Sequence, residues 1–255
     1  MANAGELKIA VVTGAAMGIG MAIVTRLAED GFTALVSDLD ETKAAETAAE
    51  IRGKGLAAEP LKLDVSDPDS IAAAFAKVKE RYGRCDVVVN NAGVAKTFPF
   101  LEFPLDNFLW TMQVNVTGAL LCSQHAARLM APRGWGRIIN IASVAGMRSV
   151  GSGRTGYGTS KAAVIGLTRQ IASELALLGI TANAVAPGPV DTPMTQALHS
   201  EEFRGAYTAA IPMKRYGVPE EIAALVSFLA SEKAGYITGA VIPVDGGFMA
   251  AGALG

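Results

Sequence analysis

Three side chains in the second half of the chain have the types and spacing to move a proton: Ser143, Tyr157 and Lys161. On a helix, Tyr157 and Lys161 stand four residues apart and share one face, a phenol one turn from an ammonium. Bringing a tyrosine from its ordinary pKa of about 10 down to neutral pH takes about 4 kcal/mol. Opposite charges about 4 Å apart supply roughly that much at an effective dielectric of about 20, but only about 1 kcal/mol in bulk water. The pair therefore makes a base only in a water-poor cleft. There it can exchange a proton with a carbonyl/alcohol couple while a hydroxyl such as that of Ser143 holds the reacting oxygen. Tyr-x-x-x-Lys is frequent on ordinary surfaces, so the reading depends on the elements that position it.

The first of these elements is at the N-terminal end. Ile9-Ala10-Val11-Val12 is a short β-branched run that stops at Thr13-Gly14-Ala15-Ala16-Met17-Gly18-Ile19-Gly20, and residues 21–30 then carry helical periodicity. Strand, glycine turn and helix form a dinucleotide-binding layout. Gly14 permits the tight turn, Gly18 lets the backbone approach a pyrophosphate, Gly20 lets helix and strand pack, and the helix N-terminus offers unpaired N–H groups, with Met17 and Ile19 between them. A second strand, Ala34 to Asp38, ends in an acid 18 residues after Gly20. A carboxylate there accepts from both hydroxyls of an adenosine ribose and repels a 2′-phosphate. Ala15, Ala16 and Leu39 bring no compensating cation, so the cofactor expected is NAD (NADH). Asp38 could also cap the helix that begins near Glu41.

Further apolar runs alternate with helical patterns: 58–63 before Asp64-Val65, a helix capped by Ser66 or Asp67 and running to Tyr82, and the strand 86–89 before Asn90-Asn91-Ala92-Gly93. A helical region over 105–131 follows with Asn115 inside it, then the strands 137–141 and 181–185, the latter before Pro187-Gly188-Pro189-Val190-Asp191-Thr192. A polar Asn115 in an apolar helix must be hydrogen-bonded, either for structure or at a site. The pattern predicts an α/β, Rossmann-like, doubly wound parallel sheet of about seven strands with helices on both faces. One domain spans 1–255, and 192–215 mixes His199, Arg204 and Tyr207 with small residues in the manner of a substrate lid. The polar punctuation falls at strand C-termini, which such a sheet gathers into one cleft.

Bulk composition narrows the class. Hydrophobic residues make up 51% of the 255 and charged residues 18%, enough for a sizeable core. With 22 basic and 24 acidic residues the net charge is −2, and no basic run suggests nucleic acid. Cys85, Cys122, His125 and His199 lack metal-ligand spacing, so no metal is expected. Residues 1–6 do not read as a signal peptide, and no run of about 18 apolar residues suggests a membrane span, so a cytoplasmic protein is expected.

Taken together, Thr13-Gly14-x-x-x-Gly18-x-Gly20, Asn90-Asn91-Ala92-Gly93, Asn115, Ser143, Tyr157/Lys161, Pro187-Gly188 and Asp245-Gly246-Gly247 resemble the short-chain dehydrogenases/reductases over essentially the whole chain. The resemblance implies Tyr157 as acid/base, Lys161 as ribose holder that lowers the tyrosine pKa, and Ser143 as substrate-oxygen binder. It also implies that Asn115 anchors a water on a proton path. Asp64 and Val65 would flank the adenine, Asn91 would sit on the adenosine side with Ala92 and Gly93 beside it, and Ile141, Pro187, Gly188, Val190 and Thr192 would border the nicotinamide. One departure is an interval of 14 residues from Ser143 to Tyr157, which contains Arg148 and Arg154.

Asp38 points to oxidation of a secondary alcohol, polyol or sugar hydroxyl with NAD. The alternative is a 3-oxoacyl-[acyl-carrier-protein] reductase using NADPH, and a third reading is an NAD-sensing regulator without activity. Substrate contacts are assigned to Ala145, Arg148, Arg154 and His199, the cations suiting an anionic or highly hydroxylated molecule. Val164, Leu167, Ile171 and Leu175 on the outer face of the Tyr157 helix suggest burial against another subunit in a homotetramer, the state common in the family. The apolar tail 248–255 could tuck into a neighbour.

Overall fold

The computed structural model describes residues 7–251. The N-terminal 1–6 and the last four residues of the tail lie outside them, as does the reading of 1–6 as leaderless. Seven strands form one sheet: β1 (Lys8–Thr13), β2 (Phe32–Asp38), β3 (Ala58–Lys62), β4 (Val87–Asn90), β5 (Gly136–Ile141), β6 (Ile180–Pro187) and β7 (Val241–Val244). Their order is β3-β2-β1-β4-β5-β6-β7, and all six pairings are parallel. Winding reverses between β1 and β4, and the crevice at their C-terminal ends is where such a sheet takes ligands.

The strands read as continuous apolar runs because both faces are covered. Within β1, Ala10 and Val12 face a core built with Ile23 and Leu27 of α1 (Gly18–Glu29), Ile51 of α2 (Glu41–Gly53), and Ile222 and Leu229 of a late helix, Pro219–Ala230. Ile9 and Val11 face the opposite core, with Ile71 and Phe75 of α3 (Pro68–Tyr82) and Cys122, Ala126 and Met130 of a mid-chain helix. Asp67 is the cap of α3, accepting from the Asp69 N–H at 2.9 Å. For α2 the cap is Asp40, not Asp38; Asp38 Oδ1 instead accepts from the Asp40 N–H at 3.1 Å.

The helix expected over 105–131 is interrupted. α4 (Leu105–Met112) and α5 (Gly118–Met130) are joined by a π-helical turn, Gln113–Thr117, which carries Asn115. The wider turn lets Asn115 reach the strand ends, and Gly118 then lies against Val65, where a Cβ would come within 2.6 Å of the Val65 carbonyl oxygen. α6 (Thr155–Leu175) starts two residues before Tyr157. The segment 192–215 holds two short helices, α7 (Pro193–Leu198) and α8 (Glu201–Ala210), and the Pro219–Ala230 helix is α9.

Two expectations about surfaces change. Val164 is buried within its own subunit beside Ile165, Ala142 and Ala184, and Ile171 and Leu175 pack half-buried against the core that holds Phe75 and Met130, leaving Leu167 half-buried on α6. The larger exposed apolar cluster is Phe100, Leu101, Leu105, Leu109 and Trp110, at and before the start of the region expected to be the Asn115 helix, before and along α4. The tail does not wait for a neighbour at Phe248, which is buried and stacks on Tyr207 at 5.1 Å.

Candidate active site

The nucleotide end of the cleft is held together by backbone. Thr13 Oγ1, at the end of β1, accepts from the Asn91 and Ala92 N–H groups at 3.0 and 3.1 Å. Asn91 Nδ2 donates back to the carbonyls of Thr13 and Gly14 at 3.0 and 2.9 Å. Its amide is therefore spent on bracing β1 against β4. Gly14 and Gly18 have φ of +61° and +56°, in the left-handed region. A Cβ on Gly20 would stand 2.1 Å from the Gly14 carbonyl oxygen and 2.6 Å from Asn91 Nδ2, so only glycine lets α1 approach the turn. α1 begins without a side-chain cap and without an acid in its first turn, leaving its first N–H groups to an anion.

A cavity of about 310 Å³ opens there. Its walls are Gly14, Met17, Gly18, Ile19, Gly20 and Asp38 at one end, Asn91, Ala92 and Gly93 in the middle, and Ile141, Ser143, Tyr157, Lys161, Pro187, Gly188, Val190 and Thr192 at the other. Asp38 Oδ2 accepts from the Ala16 N–H at 3.1 Å, which turns the carboxylate toward the glycine loop with acceptor capacity to spare. Flanking cations are taken: Lys43 pairs with Asp40 at 3.2 Å and Lys62 with Glu41 at 3.6 Å. The glycine cradle, uncapped helix and free acceptors fit a nicotinamide dinucleotide.

Three predicted wall residues stand off the cavity. Leu39 is exposed, and Asp64 Oδ1 is occupied by the N–H and hydroxyl of Ser66 at 2.8 and 2.7 Å. Val65 abuts Gly118. The sequence reading also missed Ala142, Pro193, Met194 and Thr195, which complete the wall. A signal for the last three was present: Thr192 and Thr195 form a reciprocal cap that places the start of α7 on the cleft.

At the reacting end, Ser143 Oγ accepts from the Ala145 N–H at 3.1 Å. Lys161 Nζ donates to the Ile141 carbonyl at 2.7 Å and lies 5.7 Å from the centre of the Tyr157 ring. Burial moves both groups away from charge. It pulls the Lys161 ammonium down to about 8 and pushes the Tyr157 phenol up, against smaller downward pulls from the Ser143 hydroxyl and the Arg154 charge. The expected lowering of the tyrosine by Lys161 is not among the influences on the phenol here; burial is the largest of them and raises its pKa.

Asn115 clamps Val94 from both sides. Its Oδ1 accepts from the Val94 N–H at 2.8 Å, and its Nδ2 donates to the Val94 carbonyl at 3.0 Å and to Ser160 Oγ at 2.9 Å. With both amide protons spent, its side chain ties the loop after β4 to α6, and a water on the expected proton path would have to meet its main-chain carbonyl.

The predicted substrate residues separate. Ala145 and Arg154 line a second, open cavity of about 980 Å³ beside Gly158 and Phe203. Arg148 lies outside its wall, with its guanidinium over the Phe248 ring at 4.8 Å. His199 is buried, with Nε2 2.7 Å from Arg154 Nη2 and Nδ1 3.0 Å from Tyr216 Oη. Both its nitrogens are used within the chain, so it fastens the 192–215 segment to the loop before α6 and leaves none for a substrate. Among the described residues no helix is long and apolar enough to cross a membrane, and no three His, Cys, Asp or Glu side chains cluster as metal ligands would.

Comparison with known proteins gives a consistent result. A family model described as enoyl-(acyl carrier protein) reductase matches residues 14–249. The chain is 41% identical over 241 residues to the 3-oxoacyl-[acyl-carrier-protein] reductase FabG of Aquifex aeolicus, covering 94% of this chain and 96% of that one. It is 44% identical over 239 residues to the reductase MabA of Mycobacterium tuberculosis, covering 93% and 91%. A solved structure of a gluconate 5-dehydrogenase from Burkholderia cenocepacia, in complex with NADP and tartrate, superposes with a TM-score of 0.92 at 34% identity, covering 96% of each chain.

Proposed function

Because the chain belongs to the short-chain dehydrogenase/reductase family, and is thus an oxidoreductase acting on CH–OH groups with a nicotinamide cofactor, we propose that it reduces a 3-oxoacyl group to the 3-hydroxyacyl product. The observation that carries this reading is the 41–44% identity to 3-oxoacyl reductases over more than nine-tenths of the chain. It displaces the polyol dehydrogenase favoured from sequence.

The residues divide the work as follows. The glycine turn and the α1 N-terminus would hold the pyrophosphate, Asp38 the adenosine ribose, and Lys161 the nicotinamide ribose. When bound, the dinucleotide supplies the hydride. Ser143 donates a hydrogen bond to the substrate carbonyl oxygen, and Tyr157 gives its phenolic proton to that oxygen as charge develops on it. Lys161 and the Asn115 region return a proton to Tyr157. The 192–215 segment would act as the lid, since Thr192 to Thr195 border one cavity and Leu198, Ser200 and Phe203 the other.

We further infer a preference for NADH, because Asp38 and its paired neighbours offer nothing to a 2′-phosphate. The assay is reduction of a 3-oxobutanoyl thioester of N-acetylcysteamine with each cofactor. NADH turnover at least tenfold above NADPH is expected; absence of turnover with either overturns the reading. Oxidation of a sugar acid remains a second reading, favoured by the likeness to the gluconate 5-dehydrogenase, and gluconate-dependent NAD reduction exceeding thioester turnover would select it. The exposed apolar cluster at 100–110 and the outer face of α6 call for a second copy. Light scattering is expected to return a multiple of the 26.3 kDa chain mass.

A further inference from the structure

Arg154 is a cation without a counter-ion beside the reacting centre. Arg26, Arg81, Arg84, Arg204 and Arg215 each pair with a carboxylate, whereas no carboxylate of the described residues lies within ion-pairing distance of Arg154. Its guanidinium is nevertheless held in place. Arginine only donates, so the 2.7 Å contact makes His199 Nε2 the acceptor; the imidazole is then neutral, carries its proton on Nδ1 and donates it to Tyr216 Oη at 3.0 Å. Burial and the charges of Arg154 and Arg204 hold His199 down to about 4, so it orients the guanidinium without competing for an anion. The Phe203 ring, 5.5 Å away, supports it from another side.

The surroundings of Arg154 favour negative charge. It is the N-cap of α6, whose first turn carries no acid, so the positive end of a 21-residue helix adds to its field. No acid lines the cavity of about 980 Å³ on which it opens. That cavity shares no wall residue with the one that Ser143 and Tyr157 line, but two of its residues neighbour them: Ala145, whose N–H meets Ser143, and Gly158, which follows Tyr157. The Arg154 charge is felt at the Tyr157 phenol.

We propose that Arg154, oriented by His199 and Tyr216, is a specificity-determining residue that receives a carboxylate of the substrate, so that the molecule reduced is a free 3-oxo acid in preference to its thioester. This deepens the 3-oxoacyl reading and rests on it for the position of the reacting carbonyl. A guanidinium meets a carboxylate with two parallel donors, an advantage that a neutral thioester cannot use.

The test compares 3-oxobutanoate with the 3-oxobutanoyl thioester of N-acetylcysteamine in the intact enzyme, Arg154→Gln and Arg154→Lys, and titrates each enzyme–NADH complex with malonate by NADH fluorescence. The ratio of kcat/KM for acid over thioester is expected to fall at least tenfold in Arg154→Gln, mainly through KM, and to recover in large part in Arg154→Lys. Malonate is expected to bind the intact enzyme at least tenfold more tightly than Arg154→Gln. His199→Gln should raise KM for the acid with little change in kcat. An unmoved ratio, or equal malonate affinity in the intact enzyme and Arg154→Gln, overturns the proposal. Thioester turnover reports on the 3-oxoacyl function and malonate binding on the anion site, so each can fail without the other.

Discussion

The two halves of the cleft are built in different ways. The dinucleotide half is made of main chain: Gly14, Gly18 and Gly20 let a turn, a strand and a helix approach to distances that a Cβ would forbid, and Thr13 and Asn91 lock the result with four backbone contacts. The substrate half is made of side chains from distant segments. Arg154, His199 and Tyr216 meet across intervals of 45 and 17 residues, and Tyr207 leans on Phe248. A main-chain site tolerates almost no substitution at its glycines and serves one ligand. A side-chain site can be re-cut one contact at a time, which suits the half that selects the substrate.

The sharpest break between the halves is expected at Tyr157, which touches both. Tyr157→Phe should lower kcat by roughly 10²–10⁴-fold. NADH binding, followed by fluorescence, should persist; joint loss of binding and turnover would mean that the phenol holds the cleft together. Gly20→Ala probes the main-chain half alone. Its Cβ collides with the Gly14 carbonyl at 2.1 Å, and overpacking of this kind costs about 1–3 kcal/mol. A lower melting temperature and an NADH affinity weakened at least about tenfold should appear together, and a variant with both values intact would refute the cradle.

Asp38→Ala exchanges one ligand contact in that half and leaves the glycines alone. The NADPH-to-NADH ratio of kcat/KM should rise about tenfold, equivalent to about 1.4 kcal/mol. An unchanged ratio would remove Asp38 from cofactor choice. In the substrate half the effect is read in stability and not in turnover. His199 has a folded pKa of about 4, below its ordinary 6.5, so between these values the unfolded chain binds the extra proton and stability falls as pH drops through the window. His199→Gln should flatten that part of the pH–stability curve relative to the intact enzyme. Parallel curves would show that the imidazole titrates equally in both states.

The same division decides what was legible in the sequence. The strands, their order of appearance and the glycine turn announce themselves because both depend on local chain geometry and on apolar runs. The alignment of Ser143, Tyr157 and Lys161 in one cleft followed from a strand end for Ser143 and from helical spacing for the other two. Asp64 stands off the cavity wall with one of its carboxylate oxygens bonded to Ser66, in a turn that no periodicity reveals. His199 was assigned to the substrate because its engagement by Arg154, Phe203 and Tyr216, each on a different segment, leaves no local sequence signal. The setting of the tyrosine was not legible for a related reason: the sequence places an ammonium one turn away but does not say that it is turned onto the Ile141 carbonyl.

The extra-wide turn at Gln113–Thr117 has a consequence for how this scaffold can be edited. A π-turn holds one residue more than the helix around it, so removing a single amino acid there would leave a continuous α-helix with every hydrogen bond renewed. The helix beyond the deletion would keep its register, because the wide turn absorbs its extra residue locally, but the side chains within the turn would be re-aimed. Asn115 would let go of Val94, and the lysine-bearing helix would lose its tether to the loop after β4. A shorter, locally more regular chain would then be a worse enzyme, with the irregularity acting as the part that keeps two layers in register.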